Sequence, residues 1–206
     1  PDWNEGSGKA RGEGFLFPAT YEFDKDATAE EILTTIVNRF NEVATELNFE
    51  EESKKTGFTP YEALTVASLL QAEALPEDFD KVSRVVYNRL DEKTWGGTYG
   101  YLGFDSTLNY GLRLDGVIIP QEINIPNDKR TYKSPYNTFT EQNQGLPPTP
   151  IQNPGKAAME SALNPADGDW LYFVTTNPDT GKTKFTADYN EFIGYSNEFE
   201  AWLRRK

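Results

Sequence analysis

The feature that most restricts the fold is a helix whose start, end and buried face can all be read from the sequence. The segment TPYE offers Thr59 as the N-cap, Pro60 at the first helical position and Glu62 three residues after the cap, which together form a capping box. Pro76 has no N–H to donate and ends the helix at about residue 74 or 75. The strongly apolar stretch between these signals predicts a helix with a buried face.

A glutamate, Glu73, interrupts that apolar face. At about 100° per residue it lies over Val66 and beside Leu70. Partial burial and the negative end of the helix dipole both disfavour a carboxylate, so we expect a raised pKa, as a general acid requires. The same pattern also allows Glu73 to turn into water or to pair with Lys81 or Arg84.

Composition excludes several classes of function. The 206-residue chain has no His and no Cys, which removes His-dependent triads, thiol chemistry and the usual zinc ligands. Its net charge of −13 opposes nucleic-acid binding, and no basic patch offsets it. No apolar run approaches the roughly 20 residues of a membrane span. Catalysis, if present, depends on carboxylates, hydroxyls, amides or lysines, and no cofactor or metal is expected.

Further elements follow from caps and periodicity, and the fold class they predict is α+β. A first helix begins after Thr28 and runs for about five turns. The turn NPDTGK lies between two runs of strand-forming residues and predicts a β-hairpin. Long functional loops are expected over residues 95–150, where helical periodicity is lost. Three more helices are predicted, from about Glu77 to Asp91, over 153–163 with Asn153 as N-cap, and after DYNE at 188–191, with Phe192, Phe199, Trp202 and Leu203 inward.

Ordinary glycoside hydrolysis uses two carboxylates, so a second acidic residue is expected if this chain is such a hydrolase. Asp105, in the Gly- and Tyr-rich loop, is the best-placed candidate, although an Asx-turn or a helix cap explains it equally simply. The acidic turns at 24–26 and 164–169 do not follow a calcium-loop pattern and indicate solvated turns. Lys133 beside Ser134 does not establish a Ser–Lys pair, since adjacency in sequence is not adjacency in space.

An ordered series of motifs resembles a known family. The motifs are EGFLFPATYEF, VASLLQAE, VVYNRL, FDSTLNYGL, SPYNTF, GLPPTPIQNPG, ALNP and WLYFVT. In this order they resemble the catalytic domain of the MltG (YceG-like) endolytic murein transglycosylases. The motif sequences are most similar to those of the actinobacterial branch. The resemblance covers residues 13–206, and residues 1–12 are expected to be a lead-in or linker.

The resemblance implies an enzyme that cuts the MurNAc–GlcNAc β-1,4 bond of nascent peptidoglycan strands and leaves a 1,6-anhydro-MurNAc end. The family's essential acid closes the segment ASLLQAE, and it corresponds to Glu73, the residue singled out by helical phase. No second carboxylate is needed in that reaction. The same resemblance implies a set of groove-shaping residues, which are Asn88, Asp105, Thr107, Ser134, Tyr136, Asn137 and Thr138.

The sequence differs from the family pattern at two places, and the family has further domains that these residues do not match. Gly103, Phe104 and Ser106 stand where many members have Gln, Thr and Pro around the aspartate, and residues 183–186 lack a His common in the last hairpin. The family's N-terminal transmembrane helix and LysM-like subdomain have no counterpart in these residues. We therefore expect a soluble fragment of a protein anchored at the outer face of the cytoplasmic membrane, with peptidoglycan synthases as possible partners.

Three functions remain open at this point. The first is a lytic transglycosylase in which Glu73 serves as acid and then as base. The second is a glycoside hydrolase with Glu73 as acid and Asp105 as base, which would leave a reducing end. The third is a glycan-binding or scaffold module of the cell-wall machinery, without catalysis.

Overall fold

The computed structural model describes residues 1–6, 11–91, 97–117 and 130–205. Its helices and strands, in chain order, are α1 (Ala29–Glu46), α2 (Phe49–Lys55), α3 (Pro60–Glu73), α4 (Phe79–Leu90), α5 (Asp105–Leu114), α6 (Lys156–Leu163), β1 (Tyr172–Asn177), β2 (Lys182–Thr186) and α7 (Tyr189–Leu203). The α+β class expected from the sequence is confirmed.

Helix α3 is the centre of the core. Nine of its 14 residues are buried, and it contacts α2, α4, α5 and α6. The Thr59 hydroxyl accepts from the Glu62 N–H while the Glu62 carboxylate accepts from the Thr59 N–H, so the predicted capping box is present. The helix ends at Glu73 because Ala74 is extended. The predicted start is confirmed, and the observed end lies one residue before the predicted 74 or 75.

Helix α1 begins with the same kind of capping box as α3, but it lies at the edge of the core. Thr28 and Glu31 exchange the two capping hydrogen bonds, as predicted. Only Phe40 and Val43 are buried, so α1 lies along the outside of the core. Trp3, within the expected lead-in segment, has its ring 5.6 Å from that of Phe15 and 6.1 Å from that of Phe40.

Helix α4 begins later than predicted. Residues Pro76–Asp78 form a 3₁₀ turn, and the α-helix starts at Phe79 rather than at Glu77. Pro76 fixes the first turn in this tighter geometry. The predicted inner face is present, with Val82 and Val85 fully buried.

Two helices were not predicted. Helix α2 is only seven residues long, too short for a clear periodic pattern. Helix α5 lies where loops were predicted. Gly111, a poor helix former, interrupts the helical pattern of the sequence there, although the helix itself is continuous. The reason for that glycine is close packing, since a Cβ at Gly111 would collide with Ser134 Oγ. Leu108 and Leu112 nevertheless bury one face of α5.

The predicted N-cap of α6 is wrong. Gly155 is the N-cap, without a side-chain capping bond. The Asn153 side chain turns away to the amino-terminal segment, where its Oδ1 accepts from the N–H groups of Gly14 at 2.9 Å and Leu16 at 3.0 Å. Tertiary hydrogen bonds therefore outcompete the local cap that the sequence suggested.

The hairpin and the terminal helix cover one side of the α-helical core. Strands β1 and β2 pair antiparallel with Phe173 opposite Phe185, which confirms the predicted hairpin. Asp188 caps α7 through bonds to two N–H groups, also as predicted. The expected inward residues of α7 are only partly buried, because α7 packs on β1 rather than into the core.

None of the helices formed by the described residues combines the length and the uncharged apolar sequence needed to cross a bilayer.

Candidate active site

Glu73 is the last residue of α3, and its carboxyl lies where three elements meet. The residue is partly exposed at the surface, but protein atoms enclose the carboxyl, so burial is the main cause of its raised pKa. The negative charge of Asp105 raises the pKa further. Contacts with Ser106 and the positive charge of Arg89 lower it, without cancelling the effect of burial.

Ser106 lies in the first turn of α5, so the amino end of α5 faces the carboxyl end of α3. Both its hydroxyl and its backbone N–H act on the Glu73 carboxyl. The Oγ atom is buried but makes no hydrogen bond within 3.5 Å. This hydroxyl is therefore close to Glu73 without a tight bond to it, an arrangement common before substrate binds.

Arg89 brings a buried positive charge to the same place from α4. Its guanidinium donates to the carbonyl of Leu171 at 2.6 Å and to that of Leu102. It also lies 5.5 Å from the ring centre of Phe104 and 5.7 Å from that of Tyr172. Burial lowers the pKa of Arg89 to about 10, so it stays protonated at neutral pH.

The sequence analysis missed Arg89 as a site residue, although a signal was present. Arg89 follows Val85 by four residues and Val86 by three, so helical spacing places it on the apolar face of α4. A cation on an apolar stripe is the same anomaly that singled out Glu73.

Asp105 is the first residue of α5 and comes close enough to Glu73 to raise its pKa. Its Oδ1 is 3.7 Å from a guanidinium nitrogen of Arg130. The structure thus brings together the two carboxyls named from the sequence. The helix-cap explanation of Asp105 is not supported, because Phe104 is the N-cap residue of α5 and makes no side-chain capping bond.

Five of the predicted groove residues are buried and bonded to protein. The Thr138 hydroxyl accepts from the Phe104 N–H at 3.1 Å and shares a hydrogen bond of 2.8 Å with the Thr107 hydroxyl. Asn137 donates to the carbonyls of Arg130 and Tyr132. These bonds fix the start of α5 beside Glu73. The assignment of these side chains as groove-shaping residues stays a prediction.

Ser134 and Tyr136 are held by hydrogen bonds of their own. Ser134 Oγ accepts from the Tyr136 N–H at 3.2 Å, and the Tyr136 hydroxyl bonds Thr149 Oγ1 at 2.8 Å. Ser134 is therefore held in a turn of its own loop, and its assignment as a groove residue stays a prediction.

Asn88, the remaining predicted groove residue, is held by the loop that precedes β1. Its side chain donates to the carbonyls of Gly168 at 3.2 Å and Trp170 at 2.9 Å. It also lines a cavity of about 600 Å³ between α2, α4 and α6, and Glu73 is not among the lining residues described. In the parts of the chain with described coordinates, no three acidic side chains converge as a cation site.

Comparison with known proteins agrees with this arrangement. The model of the YceG-like family matches residues 4–197. The chain belongs to the YceG-like family. This confirms the family suggested by the ordered motifs.

Two curated relatives of this YceG-like chain carry the name endolytic murein transglycosylase. The Bacillus subtilis protein is 35% identical over 195 residues, which cover 90% of this chain and 49% of that protein. The protein from Streptococcus pneumoniae serotype 2 is 32% identical over 165 residues, covering 79% of this chain and 28% of that protein. The chain thus spans about half the length of the first relative, and less of the second.

A solved structure supports the fold. The crystal structure of a putative yceG-like protein from Listeria monocytogenes superimposes with a TM-score of 0.75 at 33% identity. The match covers 90% of this chain and 56% of that one.

Proposed function

We propose that this YceG-like chain is the catalytic part of an endolytic peptidoglycan lytic transglycosylase, with Glu73 as its single acid and base. The observation that carries the proposal is a carboxyl with a raised pKa, enclosed at the meeting point of α3, α4 and α5. The names of the two curated relatives support the class of substrate and of reaction.

In the first step Glu73 gives its proton to the glycosidic oxygen between C1 of MurNAc and C4 of GlcNAc. The C1–O bond breaks, and the GlcNAc unit leaves with the proton on its 4-hydroxyl. A carboxyl with a raised pKa is suited to this role, and burial is the main cause of the raised pKa of Glu73.

In the second step the Glu73 carboxylate takes the proton of the C6 hydroxyl as its oxygen attacks C1. The new C1–O6 bond closes a 1,6-anhydro ring, so no water enters the product. Glu73 ends the cycle protonated, as it began.

A hydrolase is the second candidate, and one observation favours it. Asp105 lies near enough to Glu73 to act on its charge, and a second carboxylate could activate a water molecule. Its Oδ1 lies 3.7 Å from a guanidinium nitrogen of Arg130. The two enzymes differ in product, since hydrolysis leaves a reducing MurNAc end.

The test is to incubate the chain with uncrosslinked glycan strands and to identify the new ends by mass spectrometry. Wild type is compared with Glu73→Gln and with Glu77→Gln, a matched change at an exposed acid four residues away. Anhydro ends from wild type and Glu77→Gln alone are expected. Reducing ends would establish the hydrolase, and cleavage by Glu73→Gln would refute the assignment of the acid. Binding to strands without cleavage by wild type would favour a scaffold module.

We further propose that the whole protein acts at the outer face of the cytoplasmic membrane, beside peptidoglycan synthases. Nascent strands, the proposed substrate, are made there. Co-purification of the full-length protein with membranes and with labelled synthases would test this.

A further inference from the structure

We propose that Ser106 and Arg89 are positioning residues, which hold and stabilise the carboxylate that Glu73 becomes when it gives up its proton. This inference rests on the proposed function, because only a reaction that cycles Glu73 between its two forms needs such support. The proposed acid must be protonated at rest and yet able to ionise within the enclosed site.

Ser106 has the geometry for this task. Its Oγ is buried at the amino end of α5 and makes no hydrogen bond within 3.5 Å, so it has a proton to offer. The N–H groups in the first turn of a helix also lack partners within the helix. When Glu73 ionises, a hydroxyl and an N–H are therefore at hand, and the positive end of the α5 dipole favours the anion.

The start of α5 is fixed independently of Glu73. Phe104 N–H donates to Thr138 Oγ1, and the Thr107 hydroxyl donates to the Phe104 carbonyl at 2.7 Å. Thr107 and Thr138 are fully buried. Ser106 lies between Phe104 and Thr107, which are both anchored. It therefore needs no reorganisation of the backbone to meet the carboxylate.

Arg89 supplies the balancing charge. It is buried on α4, and the hydrogen bonds that it donates to Leu171 and Leu102 end on neutral carbonyls, so its positive charge can stabilise a new carboxylate nearby. Among the described residues, the charged groups that act on Glu73 are Arg89 and Asp105. Asp105 opposes the anion and is itself partly offset by Arg130.

The test measures the ionisation of Glu73 directly. The carboxyl carbons of glutamate are labelled with ¹³C, the Glu73 signal is assigned from its absence in Glu73→Gln, and each variant is titrated by NMR. Ser106→Ala removes the hydroxyl, and Ser106→Pro removes the N–H as well, in a first turn that tolerates proline. Glu30→Pro makes the same backbone change in the first turn of α1 and serves as the control.

The pKa of Glu73 should rise from wild type to Ser106→Ala and again to Ser106→Pro, while Glu30→Pro leaves it unchanged. In strand cleavage, Ser106→Ala should lower kcat roughly tenfold with KM nearly constant. The hydrogen bond from Ser106 to the Glu73 carboxylate forms only as the proton leaves, so its removal affects the reaction and not the binding of substrate. The alkaline limb of the kcat profile should move to higher pH. An unchanged Glu73 titration in both Ser106 variants would refute the role of Ser106.

Arg89 is tested by Arg89→Lys and Arg89→Gln, with folding checked by circular dichroism. Lys keeps the charge and should keep the Glu73 titration close to that of wild type, whereas Gln should raise the pKa. Equal titrations in the two variants would overturn the role of Arg89. If wild type is inactive but the Glu73 pKa values follow the expected order, the proposed function is wrong and the stabilisation of the Glu73 carboxylate by Ser106 and Arg89 stands. If wild type is active but the pKa values do not follow that order, the proposed function stands and the roles of Ser106 and Arg89 are wrong.

Discussion

Two carboxyls with raised pKa values, Glu73 and Glu13, lie in different surroundings of the same core. Burial is the main cause of the raised pKa at both. Glu13 accepts from the Tyr110 hydroxyl at 3.2 Å and from Asn153 Nδ2 at 3.3 Å, within a network that also holds the backbone. Glu73 instead faces a hydroxyl without a tight bond and a buried cation. A raised pKa therefore reports burial, and it is the partners of each carboxyl that separate the structural role of Glu13 from the catalytic role proposed for Glu73.

The largest expected difference between the two regions is in catalysis. Glu73→Gln should reduce strand cleavage by roughly 1,000-fold, the scale of general acid–base catalysis. Glu13→Gln should leave the rate within about threefold, because an amide can still accept from Tyr110. Initial rates of strand cleavage at equal protein concentration check this. A comparable loss in both variants would mean that Glu13 also takes part in the reaction.

The next largest difference is in stability. Asn153→Ala leaves the N–H groups of Gly14 and Leu16 without their acceptor, which should cost about 2–3 kcal/mol of unfolding free energy. Urea denaturation measures it. Asn164→Ala removes an exposed amide bonded within α6 and should cost less than about 0.5 kcal/mol. If both variants lose the same stability, the network around Glu13 is not structural.

The pH dependence of stability is the property in which the two regions should agree. A carboxyl with a pKa raised on folding binds more protons in the folded state, so its ionisation destabilises the fold as pH rises. Glu73→Gln should therefore be more stable than wild type at pH 7, by about 1 kcal/mol. The gain should shrink as pH falls towards the unfolded-state pKa and vanish below it, where the carboxyl is protonated in both states.

Glu13→Gln should show the same sign as Glu73→Gln, since its carboxyl also has a raised pKa. Thermal unfolding between pH 4 and 8 measures both, with Glu30→Gln as an exposed control. A gain at pH 7 that persists unchanged at pH 4 would show that side-chain packing, not ionisation, is the cause.

The smallest expected effect concerns Tyr110. Tyr110→Phe removes one donor to Glu13, so the pKa of Glu13 should rise and the unfolding free energy should fall by about 0.5–1 kcal/mol. Cleavage should be unaffected. Tyr195→Phe, on α7, controls for the loss of a hydroxyl. A change in cleavage rate with Tyr110→Phe alone would connect the two regions.

Local signals predicted much of the fold. Capping residues at Thr28, Thr59 and Asp188 fixed the starts of three helices because the N-cap bonds only residues close in sequence. Asn153 looked equally suitable as a cap, but its acceptor is used by residues about 140 positions away, which no local pattern shows. Helix α5 was missed because Gly111 serves a tertiary contact at the cost of helix propensity.

The site was predictable only in part. Helical phase and the family motif both indicate Glu73, and the structure places Asp105, the second acid named from the sequence, near it. Burial of the groove residues and the approach of Ser106 depend on how α5 packs against α3, which spacing cannot provide. Arg89 was predictable in the same way as Glu73, because helical spacing places its charged side chain on the apolar face of α4.

Arg89 also determines when the site can mature. Its guanidinium bonds carbonyls 13 and 82 residues further along the chain, at Leu102 and Leu171. A chain synthesised from its amino terminus has Glu73 long before it has the second of these anchors. The cation is therefore fixed near Glu73 only once the segment that carries Leu171 has folded onto α4. Under the proposed function, the complete site would form late in folding, after most of the helical core.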